Sequence, residues 1–185
     1  QRLYDLKRRD TKQIQLVLNA GDVKLFAQVP TIIPNDLINL PRPLLGSVGA
    51  LDSYKYDFEL LDKIARQHPE WHFVFIGEPV VERASIELRR LGALPNVHFL
   101  GIRAHGEVPQ YVYQFDVCLI PYRSNRYNAA SFPLKFWEFM ATGRPIVVSG
   151  LPELKTYDSL IGYAADADSF SREVFQALAG SAELA

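Results

Sequence analysis

Short apolar runs recur along the chain, and most of them are followed by glycine, proline or polar residues. β-Branched and aromatic residues dominate these runs, which is the pattern of strands buried on both faces of a parallel sheet. The runs predict six strands, at residues 44–48, 73–76, 97–100, 117–120, 145–148 and, more weakly, 160–164.

Stretches with the apolar spacing of amphipathic helices separate the predicted strands. Their apolar stripes are, in chain order, Phe58, Leu61 and Ile64; Val81, Ala84, Leu88 and Leu91; Val108, Tyr111 and Phe115; and Phe170, Val174 and Leu178. Asp57 precedes the first stripe and Asp168 the last, so each is predicted to cap a helix N-terminus. The alternation of strands and helices predicts an α/β fold with a Rossmann-like, doubly wound parallel six-stranded sheet.

Residues 1–43 differ in composition from the rest of the chain. Residues 1–12 are polar and basic, and residues 30–43 are rich in proline. Because such composition is typical of a connection between folded units, we predict a connecting segment over residues 1–43 and one folded domain over residues 44–185. The chain begins at Gln1 without an initiating methionine or a signal-peptide pattern, and we expect a fragment of a longer protein.

Composition and charge narrow the classes of function. Hydrophobic residues make up 48% of the chain and charged residues 22%, which is typical of a soluble globular domain. The 20 basic residues balance 21 acidic ones, so electrostatics give no reason to expect a nucleic-acid partner. The single cysteine, Cys118, lies in an apolar run and is predicted to be a buried thiol in a reducing cytoplasm. No apolar run approaches the ~20 residues that span a bilayer.

Familiar phosphate and metal motifs are absent from the sequence. Ligands of doubly wound sheets bind at the carboxyl ends of the strands. After the first predicted strand, residues 46–51 lack the glycine spacing of a dinucleotide-binding loop, and the chain has no Walker-type glycine–lysine loop. The four histidines have no convincing metal-ligand spacing, and Pro69 interrupts the pair His68 and His72.

The most informative segment is a predicted helix after the fourth strand. Pro133 suits the first turn of this helix, and Gly143 suits its end. The helix is apolar nearly all round, so we expect it to be buried against the sheet. One polar stripe remains, which is formed by Lys135, Glu138 and Thr142.

Two interpretations of Lys135 and Glu138 are weighed. In a helical ion pair, lysine would precede glutamate, which is the poorer orientation, and a cation in the first turn would oppose the helix dipole. An anion at the helix N-terminus removes this conflict, because free backbone N–H groups and the Lys135 ammonium would together hold a phosphate. We favour the phosphate site over the ion pair.

The same segment carries a resemblance to a known family. Residues 133–147, which read Pro-Leu-Lys-Phe-Trp-Glu-Phe-Met-Ala-Thr-Gly-Arg-Pro-Ile-Val, resemble the donor-site helix of the retaining group 1 glycosyltransferases, whose GT-B fold has two Rossmann-like domains. Further segments resemble a turn and the first four strands of that family in the same order, at residues 19–26, 46–51, 72–78, 96–101 and 115–121. The likeness implies that this chain is the donor-binding half of a bacterial-type glycosyltransferase and that an acceptor-binding N-terminal domain is missing.

The resemblance implies roles for residues at the predicted strand ends. The candidates for donor binding are Glu138 at the ribose hydroxyls; Ser131, Phe132, Leu134 and Lys135 at the diphosphate; Gly101 and Arg103 beside the base; and Gly49, Gly77 and Glu78 at the neighbouring strand ends. Glu78 is equally well explained as a solvated loop charge. Asp57 could face the donor instead of capping its helix.

Two positions depart from the family pattern and bear on the mechanism. Ala130 stands where the family has the earlier of two glutamates, and Ala50 stands where it has an arginine that stabilises the leaving diphosphate. Lys135 and Arg123 are predicted to supply the catalytic cation instead, with Lys55 as a further candidate.

No cofactor and no required metal are expected. Asp166 and Asp168 have the Asp-x-Asp form by which the other major glycosyltransferase fold holds a metal, but Asp168 is predicted to be a helix cap. The resemblance implies a nucleotide-sugar donor, and a glycan or lipid-linked acceptor bound through the missing domain. We expect a cytoplasmic protein, and peripheral association of the full-length protein with the inner face of the membrane is left open.

Three functions are weighed. The leading hypothesis is hexosyl transfer with retention from a nucleoside-diphosphate sugar, in polysaccharide biosynthesis, by electrostatic stabilisation of the departing diphosphate. In that case the chain is expected to be inactive as an isolated fragment. The alternatives are a nucleotide-sugar epimerase of similar fold and a non-catalytic nucleotide-binding module, which Ala50 and Ala130 keep open.

Overall fold

The computed structural model describes residues 2–17, 19–78 and 86–182. The helices in these ranges are α1 (Arg2–Lys7), α2 (Val23–Phe26), α3 (Phe58–Gln67), α4 (Ile86–Gly92), α5 (Val108–Val112), α6 (Lys135–Thr142) and α7 (Ala167–Ala182). The strands are β1 (Leu44–Val48), β2 (His72–Ile76), β3 (Val97–Gly101), β4 (Val117–Pro121), β5 (Ile146–Ser149) and β6 (Gly162–Ala164). Short 3₁₀ helices lie at His105–Glu107, Asn128–Ala130 and Pro152–Tyr157.

The strands form one sheet in the order β3-β2-β1-β4-β5-β6, and each neighbouring pair is parallel. The predicted Rossmann-like, six-stranded parallel sheet is therefore confirmed. Strands β2 and β3 lie to one side of β1, and strands β4, β5 and β6 lie to the other. In sheets of this order, the carboxyl ends of the two central strands, here β1 and β4, border a crevice in which ligands bind.

The observed strands agree with the predicted ones to within two residues. β1 has the predicted bounds, β2 to β5 differ by one residue, and β6 begins at Gly162 instead of residue 160. Strand β4 is buried along its whole length, because helices cover both faces of a doubly wound sheet. Cys118 lies in this strand and is fully buried, as predicted, and burial raises the pKa of its thiol.

Two of the predicted apolar stripes coincide only in part with observed helices. In the second predicted stripe, Val81 and Ala84 lie outside the described residues, whereas Leu88 and Leu91 are buried on α4. Helix α5 ends at Val112, so Phe115 lies beyond it; the Phe115 ring packs so closely on β1 that a Cβ at Gly46 would lie 2.1 Å from it. The stripe at residues 108–115 is thus apolar throughout but only partly helical.

The predicted cap of the last helix is wrong. Helix α7 begins at Ala167, and Asp168 lies inside its first turn. The side chain of Asp166 accepts a hydrogen bond from the backbone N–H of Ser169 at 2.8 Å, so Asp166 is the capping residue. Two aspartates two positions apart offer alternative starts for the helix, and the contacts of Asp166 with Ser169 show which of them is used.

Asp57 caps helix α3, which confirms the first of its two interpretations. Its Oδ1 accepts a hydrogen bond from the backbone N–H of Leu60 at 3.1 Å. Its own backbone N–H donates to the carbonyl of Pro121 at 2.9 Å, which ties the start of α3 to the end of β4.

The cap can be tested by substitution. Asp57→Ala is expected to lower the free energy of unfolding by about 1 kcal/mol, because the first turn of α3 loses its side-chain acceptor. Asp57→Asn keeps an oxygen at that position and is expected to stay within about 0.5 kcal/mol of the wild type. Urea denaturation measures both. A loss of nucleotide affinity in Asp57→Ala with unchanged stability would instead support a role at the donor.

Part of the predicted connecting segment packs against the sheet domain. Phe26 is fully buried and Leu37 is 4% exposed, and both belong to the same hydrophobic core as the strands. The hydroxyl of Tyr113 donates to the carbonyl of Phe26 at 3.1 Å. The boundary at residue 43 stays a prediction. None of the helices in the described ranges is long and apolar enough to cross a membrane.

Candidate functional site

Helix α6 begins at the carboxyl edge of the sheet, beside the ends of β1 and β4. The predicted helix at residues 133–142 is confirmed, although its first helical residue is Lys135. Phe136 and Phe139 bury one face of α6, and Gly143 ends it with a φ of 70°. A Cβ at Gly49, which follows β1, would lie 3.4 Å from Lys135 Nζ. The lysine side chain therefore reaches across the crevice to the end of β1.

The environment of Lys135 is aromatic and partly buried. Its Nζ donates a hydrogen bond to the hydroxyl of Tyr56 at 2.6 Å. The same atom lies 4.9 Å from the ring centroid of Tyr56 and 5.2 Å from that of Tyr122, both within cation–π range. Burial lowers the pKa of Lys135. The ammonium is bound by a neutral hydroxyl and two ring faces, so the helical ion pair with Glu138 is not the arrangement that the fold adopts.

Glu138 lies one turn further along α6 and is half-buried. Burial raises the pKa of its carboxyl, while the charge of His105 and a hydrogen bond from the backbone N–H of Asp22 lower it. Gly21 lies so close that a Cβ there would be 2.9 Å from Glu138 Cγ. The carboxylate is therefore held at the surface of α6 by the turn before α2.

That turn contributes site residues that sequence reasoning did not assign. The side-chain amide of Asn19 donates to the carbonyl of Phe132 at 2.8 Å, which ties the turn to the segment before α6. His105 Nε2 lies 3.8 Å from Asp22 Oδ2. Residues 19–26 were noted as a family-like turn, but their sequence alone does not indicate that they reach Glu138.

Glycines at the ends of β1 and β2 let two loops meet backbone to backbone. Gly49 has a φ of 126° and Gly77 a φ of 133°, a region that side chains disfavour. A Cβ at Gly77 would lie 2.0 Å from the carbonyl oxygen of Gly49. The backbone N–H of Gly77 donates to the carbonyl of Gly101 at 2.9 Å, which adds the end of β3. Three of the predicted site residues thus form one surface.

Two cavities open at this edge. The first, of about 380 Å³, is lined by predicted residues Gly49, Gly77, Glu78 and Arg103 together with apolar neighbours. The second, of about 500 Å³, is lined by predicted residues Ser131 and Phe132 and by Asn19, Lys55, Tyr122, Tyr127, Ala130 and Pro133. The side chain of Lys135 extends toward Gly49, which lines the first cavity. Helix α6, which carries this lysine, begins directly after residues 130–133, which line the second cavity.

The candidate cations differ in the hydrogen-bond and ion-pair partners that they already have. Arg103 donates to the hydroxyl of Tyr111 and to Asp36 Oδ2, each at 2.6 Å. Arg123 Nε donates to the backbone carbonyl of Tyr56 at 3.0 Å. Lys55 Nζ lies 3.2 Å from a carboxylate oxygen of Asp52. Arg103 and Lys55 already have a carboxylate partner, and Arg123 is bound to a backbone carbonyl. Lys135 lies beside Gly49 at the end of β1 and is therefore the best placed of the four cations to meet an anion.

The remaining predicted residues complete the edge. Leu134 is 48% exposed just before α6, and the Ser131 hydroxyl donates to the carbonyl of Tyr127 at 2.9 Å. In the described part of the chain, no group of three or more histidine, cysteine, aspartate and glutamate side chains is arranged to hold a metal ion. Asp166 is engaged with Ser169 at the start of α7.

Comparison with known proteins shows which sequences this chain resembles. A family model described as glycosyl transferases group 1 matches residues 42–179. A putative teichuronic acid biosynthesis glycosyltransferase, TuaH of Bacillus subtilis strain 168, is 38% identical over 109 residues, which cover 59% of this chain and 27% of TuaH.

Solved structures share the fold. Sucrose-phosphate synthase from Thermosynechococcus elongatus superposes with a TM-score of 0.72 at 23% identity, over 96% of this chain and 47% of that one. WaaG, a glycosyltransferase involved in lipopolysaccharide biosynthesis, gives 0.68 at 18% identity, over 96% and 51%. HepE of Anabaena, crystallised with UDP and glucose, gives 0.60 at 20% identity, over 91% and 47%. The chain spans about half the length of these structures and about a quarter of TuaH.

Proposed function

The chain belongs to the group 1 glycosyl transferases, and we propose that it forms the donor-binding domain of an enzyme that transfers a sugar from a nucleoside-diphosphate sugar to a glycan or lipid-linked acceptor. The observation that carries the proposal is the position of Lys135, whose ammonium lies at the end of β1 beside Gly49. The acceptor would be bound by a second domain that faces this edge. Retention of anomeric configuration is part of the proposal and rests on the family.

The diphosphate is assigned to the N-terminus of α6. The helix dipole favours an anion at this end of α6, although the backbone N–H groups of Phe136, Trp137 and Glu138 already donate to the carbonyls of Pro133 and Leu134. Lys135 adds a full positive charge at the same place, with Ser131, Phe132 and Leu134 leading into the helix. As the bond between the sugar and the diphosphate breaks, negative charge develops on the departing oxygen, and a preorganised cation stabilises it.

The nucleoside is assigned to Glu138 and to the first cavity. A half-buried carboxylate on α6 is a strong acceptor for the ribose hydroxyls. Gly77, Glu78 and Arg103 line the cavity that would take the base. UDP is the first nucleotide to test, because the structure of HepE holds UDP.

Activity assays with the full-length protein separate the remaining functions. Sugar transfer from a UDP-sugar to an acceptor glycan or lipid supports the proposal, and release of epimerised sugar nucleotide would select an epimerase. Nucleotide binding without any turnover would indicate a non-catalytic module. This outcome has to be tested because Ala50 and Ala130 stand where the family has charged residues. In this proposal, the chain by itself binds nucleoside diphosphate and transfers no sugar. Appreciable turnover by the chain alone would refute this half-enzyme assignment.

The proposal includes no metal requirement and a cytoplasmic location. In this proposal the ammonium of Lys135, beside Gly49 at the end of β1, supplies the positive charge at the diphosphate. Unchanged transfer after treatment with EDTA would support this part of the proposal, and a loss restored by Mg²⁺ would overturn it. Fractionation of cells that express the full-length protein distinguishes a free cytoplasmic enzyme from one at the inner face of the membrane.

Glu138→Gln tests the ribose assignment. The variant is expected to bind UDP about 1.5 kcal/mol more weakly, at the lower end of the range for a hydrogen bond to a charged group, because the amide oxygen still accepts. Its thermal midpoint without ligand is expected to be nearly unchanged. Calorimetry measures the affinity, and Glu59→Gln on the exposed start of α3 is the matched control. A large loss of stability with intact binding would mean that Glu138 is structural.

A further inference from the structure

A chain of hydrogen bonds runs from Lys135 into the centre of the sheet. Lys135 Nζ donates to the hydroxyl of Tyr56 at 2.6 Å, and this hydroxyl lies 3.1 Å from Ser47 Oγ. Ser47 Oγ donates to the backbone carbonyl of Leu119 at 2.8 Å. Tyr56 and Ser47 are both 0% exposed, so the chain of contacts is shielded from water below the lysine.

The direction of each hydrogen bond follows from the number of hydrogens available. Ser47 has one hydroxyl hydrogen, which goes to the Leu119 carbonyl, so toward Tyr56 the Ser47 oxygen can act only as an acceptor. The one hydroxyl hydrogen of Tyr56 is directed to Ser47 or to the carbonyl of Val48 at 3.3 Å. In both cases a lone pair of the Tyr56 oxygen is left facing Lys135. Burial raises the pKa of Tyr56 well above its usual value, so the group stays a neutral acceptor.

Packing holds the Tyr56 ring in place. It stacks on Phe58 with a centroid distance of 5.7 Å and contacts Tyr122 at 5.1 Å. A lysine has a flexible stem of four carbons, and ordering it costs conformational entropy. An acceptor that is itself fixed removes much of that cost before a ligand binds. Phenylalanine would provide the same apolar packing here without burying a polar atom.

We propose that Tyr56 is a positioning residue for the donor site: its buried hydroxyl holds the Lys135 ammonium at the end of β1, in place to meet the diphosphate. The inference rests on the proposed function, since it assumes that Lys135 binds the diphosphate. Tyr56 itself is enclosed beneath the lysine and does not contact the ligand. Its effect on binding passes through Lys135.

A double-mutant cycle tests this dependence. Calorimetry with UDP, uridine and inorganic pyrophosphate is carried out on the wild type, Tyr56→Phe, Lys135→Ala and the double variant. Tyr56→Phe is expected to weaken binding of UDP and pyrophosphate about tenfold, the effect of one hydrogen bond, and to leave uridine affinity unchanged. In the Lys135→Ala background, Tyr56→Phe is expected to have no further effect, because the group on which it acts is gone.

Tyr163→Phe is the matched control for the tyrosine substitution. Tyr163 is partly buried on β6, and Lys155 lies over its ring at 5.1 Å, so the variant makes the same chemical change beside another lysine. It is expected to leave all three affinities unchanged. Ser47→Ala is a second test on the same chain of contacts, and a loss of about threefold in pyrophosphate affinity is expected because Tyr56 loses its orienting partner.

A measurement without ligand gives an independent result. NMR titration of isotope-labelled lysine side chains follows the protonation of Lys135 in the wild type and in Tyr56→Phe. The variant is expected to have a lower pKa at Lys135, because the partly buried ammonium loses a hydrogen-bond acceptor. An unchanged pKa would contradict the inference, as would free rotation of the lysine side chain in the wild type.

The outcomes distinguish the inference from the function on which it rests. Unchanged UDP and pyrophosphate affinity in Lys135→Ala would overturn the proposed diphosphate site itself. A loss in Lys135→Ala with none in Tyr56→Phe or Ser47→Ala would overturn the positioning role alone. Equal losses from Tyr56→Phe in both backgrounds, or an equal loss of uridine affinity, would show that Tyr56 acts on the fold of the domain and would also refute the inference.

Discussion

The Lys135→Ala variant is expected to bind UDP about 3 kcal/mol more weakly than the wild type. This value is near the upper end of the range for hydrogen bonds to charged groups, because both partners of the lost contact are charged. Lys135 extends from the first turn of α6 toward the end of β1, where a Cβ at Gly49 would lie 3.4 Å from its Nζ. Its Nζ donates a hydrogen bond to the neutral hydroxyl of Tyr56 at 2.6 Å. The site therefore holds a positive charge that is free to pair with a phosphate.

Calorimetry with uridine, UMP and UDP gives the sharpest measurement. The wild type is expected to bind UDP most tightly, and the variant is expected to lose most of that preference. Lys155→Ala is the matched control, because this lysine also lies over a tyrosine ring, that of Tyr163, at 5.1 Å. Equal affinity of the wild type for all three ligands, or unchanged UDP affinity in Lys135→Ala, would rule out the phosphate site.

Gly77→Ala is expected to lower the free energy of unfolding by about 3 kcal/mol or more. Two costs combine, since a side chain at a φ of 133° is strained and its Cβ would lie 2.0 Å from the carbonyl oxygen of Gly49. Each contributes roughly 1–3 kcal/mol. Relief of the overlap requires the ends of β1 and β2 to separate, and this movement displaces the wall of the first cavity. Nucleotide affinity is therefore expected to fall together with stability.

Substitutions at Gly143 and Gly106 separate the cost of backbone strain from the cost of steric overlap. Gly143 has a φ of 70°, and a Cβ there meets nothing within 4 Å, so Gly143→Ala is expected to lose only about 1–2 kcal/mol from strain. Gly106 has open space and no positive φ, and Gly106→Ala is expected to leave stability unchanged or to raise it by up to about 1 kcal/mol. Urea denaturation gives all three values. If Gly77→Ala were no worse than Gly143→Ala, the close contact between the two loops would be disproved.

The order and type of most elements could be read from local pattern. A strand buried on both faces needs a continuous apolar run, so β1 to β5 were located to within one residue, and β6, the weakest run, to within two. The cap at Asp57 was likewise found because it needs only a carboxylate three residues before a free N–H. The same local rule chose the wrong aspartate at α7, where Asp166 caps the helix instead of Asp168.

The candidate residues of the site were also visible in the sequence, because each follows a predicted strand or starts the α6 helix. Lys135 and Glu138 were noticed through a local conflict, a cation in the first turn of a helix before an acidic residue. The family resemblance added Gly49, Gly77 and Arg103, and the structure brings these to one edge of the sheet. Their roles in binding stay predictions.

Only the tertiary structure decided which partners these residues have. Lys135 meets Tyr56 across 79 positions, Asn19 meets Phe132 across 113, and Arg103 meets Asp36 across 67. Hydrophobic period reports which face of an element is buried, but it carries no information on which distant side chain shares that face. From the sequence, Lys135 could be interpreted as a phosphate-binding cation or as one half of a helical ion pair. In the folded domain its ammonium contacts the buried Tyr56. This contact exists only after folding, because β1 and β4 become neighbours at the centre of the sheet only when the sheet has formed.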